Sequence, residues 1–292
     1  MPLPLGKTLL RQFEKARHYK PDLTYTTFAL ANGYPPHVVA ARIGEVLELR
    51  EKQPPFSLGE PLKLAGDWMI AGDLHIPFTS LEWVSLLLQV ARAQDIDQLL
   101  LTGDIFNADA FSNYPHLTDK IPTWAQERDM LRELFQQFRG RFKKIVALMG
   151  NHERRIQKMT IGAFDEVDIW ALVTTAENLI TTPFGYCTVN DTWRVTHPKN
   201  YSINQLTVGD VLAQKYESHV ITFHEHHLSM GWDRYGRYVV VNGGCLVDPD
   251  KLAYVSLDDN KAAVMKNGFV MLRNNTPYLF GKEPMTDWSR WI

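Results

Sequence analysis

Apolar residues follow two rhythms along the chain, and the change falls near residue 60. Over residues 1–60 they recur at helical spacing, and the stretch closes on a proline-rich break, Gln53-Pro54-Pro55, that reads as a linker. After it, short apolar runs alternate with longer amphipathic stretches. Trp68-Met69-Ile70-Ala71, Gln98-Leu99-Leu100-Leu101-Thr102 and Lys144-Ile145-Val146-Ala147-Leu148 read as buried strands, with helices predicted over 81–92 and 124–138. Each run ends in a glycine and polar residues: Gly72-Asp73-Leu74-His75, Gly103-Asp104, and Gly150-Asn151-His152-Glu153. Strands alternating with helices, with polar residues at the strand ends, predict an α/β fold whose site lies at the carboxyl edge of its sheet. Beyond about residue 183 the helical spacing thins. Short β-type pieces follow at 186–189, 193–196, 220–223, 238–241 and 269–272, and a second sheet packed on the first would accommodate them. The expected organisation is a helical module over 1–60 and an α/β domain over 61–292.

Within the first module, the stretch from Thr26 to Leu49 has helix-turn-helix spacing: Ala29 packs in one helix, Gly33 makes the turn, and Val39 returns to the core. Asn32 occupies a position usually apolar in that motif. Eight Lys and Arg residues (7, 11, 15, 17, 20, 42, 50 and 52) face six acidic ones here, a balance of +2, whereas the remainder carries 23 basic against 27 acidic, or −4. Two uses fit the module: contact with DNA through Lys7, Arg11, Lys15, Arg17 and Lys20, or docking on a partner.

Composition narrows the class. At 292 residues, 45% hydrophobic and 22% charged, with a formal net charge of −2, the chain matches folded proteins rather than disordered or fibrous ones. That charge does not point to nucleic acid. Cys187 and Cys245 are far apart and in no CxxC pattern, so neither a disulfide framework nor a structural zinc site is indicated, and a reducing, cytoplasmic setting is expected. No signal-peptide core and no apolar stretch of about 18 residues occurs, so no membrane role is expected.

The chemistry concentrates at the strand ends. Phosphate-ester hydrolysis needs charge neutralisation on the phosphoryl oxygens and a hydroxide available near neutral pH, and two metal ions supply both. Their ligands are hard oxygens and imidazoles, with one carboxylate bridging the ions. Asp73, His75, Asp104 and Asn151 in the first half, with His197, His224 and His226 in the second, form such a set. Asp73-Leu74-His75 and His224-Glu225-His226 each place two ligands on one side of an extended segment, since alternate residues share a face. His227 would replace His226 only if that register slipped. Arg154 and Arg155 are candidates for a phosphate clamp because guanidinium groups grip phosphate bidentately; a solvated helix start is the other use of such a pair. His116 and Tyr114 lie in the loop after Asp104, His219 precedes an apolar strand and is expected to be structural, and Trp288 and Trp291 are expected to cover the core.

The ordered pieces DLH, GD, GNHE, a single His in Thr196-His197-Pro198, and H-x-H resemble the signature of calcineurin-like metallophosphoesterases over residues 67–245. The wording GDLHIPF, GDIFNADAFSNY, GNHERR and Val241-Asn242-Gly243-Gly244-Cys245 is similar to a bacterial and bacteriophage branch of that family. The resemblance implies a sandwich of two mixed β-sheets flanked by helices. It implies that Asp73, His75 and His226 bind a first metal, that Asn151, His197 and His224 bind a second, and that Asp104 bridges them. It further implies that His152 assists the leaving group and that Glu153 orients His152. The expected activity is hydrolysis of a phosphate ester by metal-bound hydroxide, with two divalent ions, manganese first and iron, zinc or nickel as alternatives. A phosphodiesterase, nuclease included, is the leading expectation; a phosphomonoesterase on nucleotides or phosphoproteins, and a DNA-binding adaptor with a vestigial hydrolase domain, are the others. Three departures stand out: Phe223 precedes His224 where the family has Gly, Asn107 occupies the second Asp position of GDxxD, and no Asp-Arg-Gly follows Asp104.

Overall fold

A computed structural model describes residues 6–52, 59–112, 122–174, 177–252 and 265–292. The chain divides into two compact units, Met1–Gly59 and Glu60–Ile292. In the first, α1 (Gly6–Tyr19), α2 (Tyr25–Ala31) and α3 (Pro36–Lys52) enclose Leu9, Leu10, Phe13, Phe28, Ala29, Val39 and Ile43. Thr24 caps α2 by accepting the Thr27 N–H, and Gly33 makes the turn at φ 70°. Ala29 and Val39 are fully buried in the same cluster.

The second unit contains β1 (Lys63–Leu64), β2 (Trp68–Ala71), α4 (Leu81–Ala93), β3 (Gln98–Leu101), α5 (Trp124–Arg141) and β4 (Lys144–Ala147). Then come α6 (Glu153–Met159), α7 (Glu166–Ala171), β5 (Leu179–Thr181), β6 (Tyr186–Val189), β7 (Trp193–Thr196), α8 (Thr207–Tyr216) and β8 (His219–Thr222). The chain ends with β9 (Leu228–Trp232), β10 (Val239–Gly243), β11 (Phe269–Arg273) and β12 (Thr276–Phe280). Two six-stranded sheets result, ordered β12-β11-β2-β3-β4-β5 and β1-β6-β7-β8-β10-β9. Both are mixed: β2 through β5 run parallel while β11 pairs antiparallel with β2, and β7, β8 and β10 run parallel while β9 pairs antiparallel with β10.

The alternation of side chains along a strand explains the layering. Trp68, Ile70, Leu100, Val146, Val270 and Leu272 point into a seam shared with Val189, Val195, Ile221, Phe223 and Val241 of the second sheet. Met69, Leu99, Leu101, Ile145 and Met271 point the other way, against α4, α5 and α7. Helix α8 covers the outer face of the second sheet through Ala213, against Val220 and Val240. The metallophosphoesterase-type sandwich expected of the sequence is therefore present.

Two expectations change. The piece at 269–272 belongs to the first sheet rather than the second, because its two apolar faces suit a position between β2 and β12 with cover on both sides. Helix α8 stands where helical spacing thins, its apolar stripe short because it packs only along the sheet's outer face. Trp288 and Trp291 do cover the core, Trp288 against Trp83 and Phe280 and Trp291 against Phe280 and Tyr278. His219 is structural: its Nδ1 accepts the Val239 N–H at 2.8 Å. Tyr114 and His116 lie outside the described residues.

Candidate metal centre

All seven expected ligands follow the carboxyl ends of parallel strands, and the two sheets bring them together. Asp73 and His75 follow β2, Asp104 follows β3, Asn151 follows β4, His197 follows β7, and His224 and His226 follow β8. The loops after β2 and β3 run side by side, with the Asp73 N–H bonded to the Gly103 carbonyl and the His75 N–H to the Asp104 carbonyl. Gly103 and Gly150 allow the loops after β3 and β4 to touch. A Cβ on Gly103 would lie 2.5 Å from the Gly150 nitrogen, and one on Gly150 would lie 2.2 Å from Asp104 Oδ1. Asp73, His75, Asp104, His224 and His226 all adopt left-handed φ, between 47° and 79°. Such backbone costs on the order of 1–3 kcal/mol at a non-glycine residue and persists only where the surroundings impose it.

The two carboxylates are arranged alike. Asp73 Oδ2 accepts the His224 N–H at 2.8 Å, and its Oδ1, buried with no hydrogen-bond donor, lies 3.3 Å from His226 Nε2, 3.9 Å from His75 Nε2 and 4.0 Å from His197 Nδ1. Asp104 Oδ1 accepts the His152 N–H at 2.9 Å, while Oδ2 lies 3.3 Å from His197 Nε2, 3.8 Å from His152 Nε2 and 4.0 Å from His75 Nε2. Each carboxylate thus spends one oxygen on a backbone N–H and presents the other to imidazoles. Asn151 Oδ1 stands 3.1 Å from His197 Nε2, and His75 Nε2 stands 3.2 Å from His226 Nε2.

Among the described residues, three groups converge closely enough to share an ion: Asp73, His75 and His226; Asp104, His197 and His224; and His75, Asp104 and His152. The donor set is oxygen and imidazole, and an orphaned buried carboxylate oxygen among imidazole nitrogens is what a divalent ion would satisfy, so the residues fit the group. The electrostatics agree. Burial opposes ionisation of Asp104, yet His197, His152 and His75 hold its carboxyl well below the usual range; Asp73 is held down likewise against its burial by His226 and His197. Burial opposes protonation of His197, but Asp104 and Asp73 push it up to about 9, so the carboxylates already favour a cation at this point. His75 and His224 are lowered, first by burial and then by neighbouring imidazoles.

Other expected residues take definite places. His227 is buried outside these groups, its Nε2 3.2 Å from the Ser202 carbonyl, so His224 and His226 are the pair facing the cluster. Glu153 does not orient His152. Its carboxylate accepts four backbone N–H groups, from Asp104, Ile105, Phe106 and Gly150, at 2.7–3.1 Å, and so fixes the Asp104 loop. Burial and the neighbouring Asp104 raise Glu153 to about 7 against those bonds. The His152 ring is held instead by the backbone carbonyl of Asn107, 2.6 Å from Nδ1, with Arg155 Nη2 2.9 Å from Nε2. Asn107, at the second Asp position of GDxxD, thus meets the His152 ring through its main chain. Arg155 also donates to the Asn107 carbonyl at 3.0 Å, whereas Arg154 donates to the Pro183 carbonyl at 2.7 Å, so only Arg155 stands beside the cluster. Phe223 occupies a slot in the seam that Gly243 leaves open, since a Cβ there would lie 2.2 Å from the ring; a bulky residue before His224 is thereby accommodated.

Sequence reasoning missed Glu127. This residue of α5 is buried and accepts the Ala108 N–H at 2.8 Å, next to the Asn107 carbonyl. A glutamate on the apolar stripe of a predicted helix was the available signal.

Comparison with known proteins completes the picture. No curated protein matches the chain. Among solved structures it is similar to Yfce, a phosphoesterase from E. coli (18% identity, 75% of this chain and 95% of that one, TM-score 0.41). It is also similar to Vps29 of Chaetomium thermophilum (13%, 74% and 97%, TM-score 0.38) and to the Pseudomonas putida nuclease MPE (11%, 73% and 87%, TM-score 0.29). The model of the calcineurin-like phosphoesterase family matches residues 69–266, a span that holds every residue of the cluster. The chain belongs to the calcineurin-like phosphoesterases, metal-dependent hydrolases of phosphate esters.

Proposed function

We propose that the protein is a phosphodiesterase, with nucleic acid its leading substrate class. The observation that carries this reading is the pair of buried carboxylates, each presenting one oxygen to converging imidazoles, with the Arg155 guanidinium beside them. Asp73, His75 and His226 would hold one ion, Asn151, His197 and His224 the other, and Asp104 would be shared. Manganese is the first choice among metals that such ligands accept. Two divalent ions would neutralise phosphoryl charge and make hydroxide available near neutral pH.

The chain's own residues supply the rest. A carbonyl only accepts, so the His152 Nδ1 facing Asn107 carries the hydrogen, and Nε2 is the nitrogen that exchanges protons. When the P–O bond breaks, the leaving oxygen takes the proton from a protonated Nε2, and the ring returns to its neutral Nδ1–H form. Burial holds His152 down to about 4, and a phosphoryl anion beside Nε2 offsets that penalty. Protonation turns Nε2 from acceptor to donor and releases Arg155 Nη2 for a phosphoryl oxygen, while Nη1 stays on the Asn107 carbonyl and 3.4 Å from Asp109 Oδ1. A guanidinium already shared with Asp109 suits the single charge of a diester better than the dianion of a monoester. Arg11, Lys15, Arg17 and Lys20, exposed on or just after α1, favour a polyanion; the side chain of Lys7 lies outside the described residues. An intact set of ligand-type residues favours an enzyme over an adaptor.

The test is a panel of manganese-loaded protein on single-stranded DNA, duplex DNA, RNA, cyclic dinucleotides, bis-p-nitrophenyl phosphate and p-nitrophenyl phosphate. Diesters should turn over faster than the monoester, with a nucleic acid among the substrates. Preference for the monoester would overturn the reading in favour of a phosphomonoesterase.

A further inference from the structure

Glu127 is 1% exposed and lies on the first turn of α5, where Thr123 caps the helix. Its Oε1 accepts the Ala108 N–H at 2.8 Å, while the neighbouring Asn107 N–H is donated to the Ile76 carbonyl at 3.0 Å. Ala108 is a non-glycine residue in left-handed conformation, φ 53°, so something outside the loop must impose its backbone. The peptide joining Asn107 to Ala108 is planar, and a partner that fixes its N–H fixes the direction of its C=O. That C=O is the group bonded to His152 Nδ1 at 2.6 Å and to Arg155 Nη1 at 3.0 Å. Glu153 cannot take over this task, because both its oxygens are committed to four other N–H groups.

We propose that Glu127, which touches none of the seven candidate ligands, is a positioning residue for His152: by anchoring the Asn107–Ala108 peptide it keeps hydrogen on Nδ1 and turns Nε2 toward the cluster. This inference rests on His152 being the group that assists the leaving oxygen. What the peptide needs is an acceptor, not a charge. Burial pushes the Glu127 carboxyl up to about 8, with Asp109 and Glu153 nearby adding to it, so at neutral pH it offers chiefly a carbonyl oxygen, which glutamine offers too.

The experiment uses the full chain with Glu127→Gln, Glu127→Leu and Glu127→Asp, and His152→Ala alongside. Across diesters of graded leaving groups, Glu127→Leu should lose about tenfold or more on poor leaving groups, part of the ~10²–10⁴ that acid–base assistance supplies. It should lose little on good ones and leave KM nearly unchanged. Glu127→Gln should stay close to wild type. Combined with His152→Ala, the Leu variant should add no further loss. In metal-free protein, ¹⁵N shifts of the His152 ring should report the Nδ1–H tautomer in wild type and Glu127→Gln, and a mixture in Glu127→Leu. If Leu prevents folding, Glu127→Asp, which withdraws the acceptor by one methylene, should show the same pattern in weaker form. A loss equal across leaving groups, full additivity with His152→Ala, or an unchanged tautomer in the Leu and Asp variants would overturn the proposal. If His152→Ala is itself indifferent to the leaving group, the role of His152 fails, and the tautomer measurement still decides whether Glu127 positions the ring.

Discussion

The two compact units use their backbones and buried groups differently. In Met1–Gly59 the described core is seven apolar side chains, and the left-handed residues among those described are the glycines Gly33 and Gly59. In Glu60–Ile292 the buried set includes Asp73, His75, Asp104, Glu127, Glu153, His197, His226 and His227, and five of the seven candidate ligands sit at left-handed φ. Burying polar groups and holding strained backbone both cost stability, which the large seam and the helix-covered face of the first sheet offset. The lesson is that the candidate metal centre lies where the fold accepts those costs. Among its described residues the helical unit buries no polar side chain and holds no non-glycine residue in left-handed backbone.

That contrast can be broken at the site first. Asp104 alone is expected to serve both ions, and its Oδ1 also fixes the His152 backbone. Asp104→Asn should therefore abolish nearly all turnover and most metal binding while the chain stays folded; elemental analysis that still finds two ions per chain would count against the bridging role. Gly150→Ala attacks the same point through sterics. Its Cβ would meet Asp104 Oδ1 at 2.2 Å and the Asp104 nitrogen at 2.4 Å, so the loop must shift. A misplacement of about 1 Å is worth on the order of 10² in rate, and kcat measured beside an unchanged circular dichroism spectrum would check it.

A pH experiment sharpens the stability side. Glu127 is raised to about 8, chiefly by burial, so between the ordinary carboxylate range and pH 8 the folded state binds more protons than the unfolded one. Stability attributable to it therefore falls as pH rises through that window. Glu127→Gln should remove that fall, by a few kcal/mol at most. Urea titrations of metal-free wild type and variant at pH 5 and pH 8 should show the variant gaining on wild type at the higher pH; an equal difference at both would refute it.

The smallest effect is expected in the other unit. Deleting residues 1–59 should spare hydrolysis of bis-p-nitrophenyl phosphate while weakening DNA binding. It should also make the salt dependence shallower, by roughly 0.9 in slope for each duplex phosphate that the unit neutralises. Identical slopes would assign the unit to docking instead.

Much of this was legible in the chain. An apolar run covered on both faces, closed by glycine and a polar residue, is a local pattern, and it placed β2, β3 and β4 and the ligand-type residues that follow them. The helices at 81–92 and 124–138 were visible for the same reason, as was the turn at Gly33. Those features depend on neighbours within a few positions, which is the range over which side-chain periodicity and backbone preference act. The fold alone decided relations between distant residues. The insertion of β11 beside β2, the bond from the His224 N–H to Asp73, the capture of the Asp104 loop by Glu153, and the bond between His152 Nδ1 and the Asn107 carbonyl are all of this kind. A backbone carbonyl has no residue type to read, and its direction is set by whatever holds the peptide. Here that is Glu127, nineteen positions away. The sequence by itself determined which groups could do chemistry, because residue identity sets donor and acceptor character. Tertiary structure decided which of their atoms face one another, because that depends on how the two sheets and the helices above them pack.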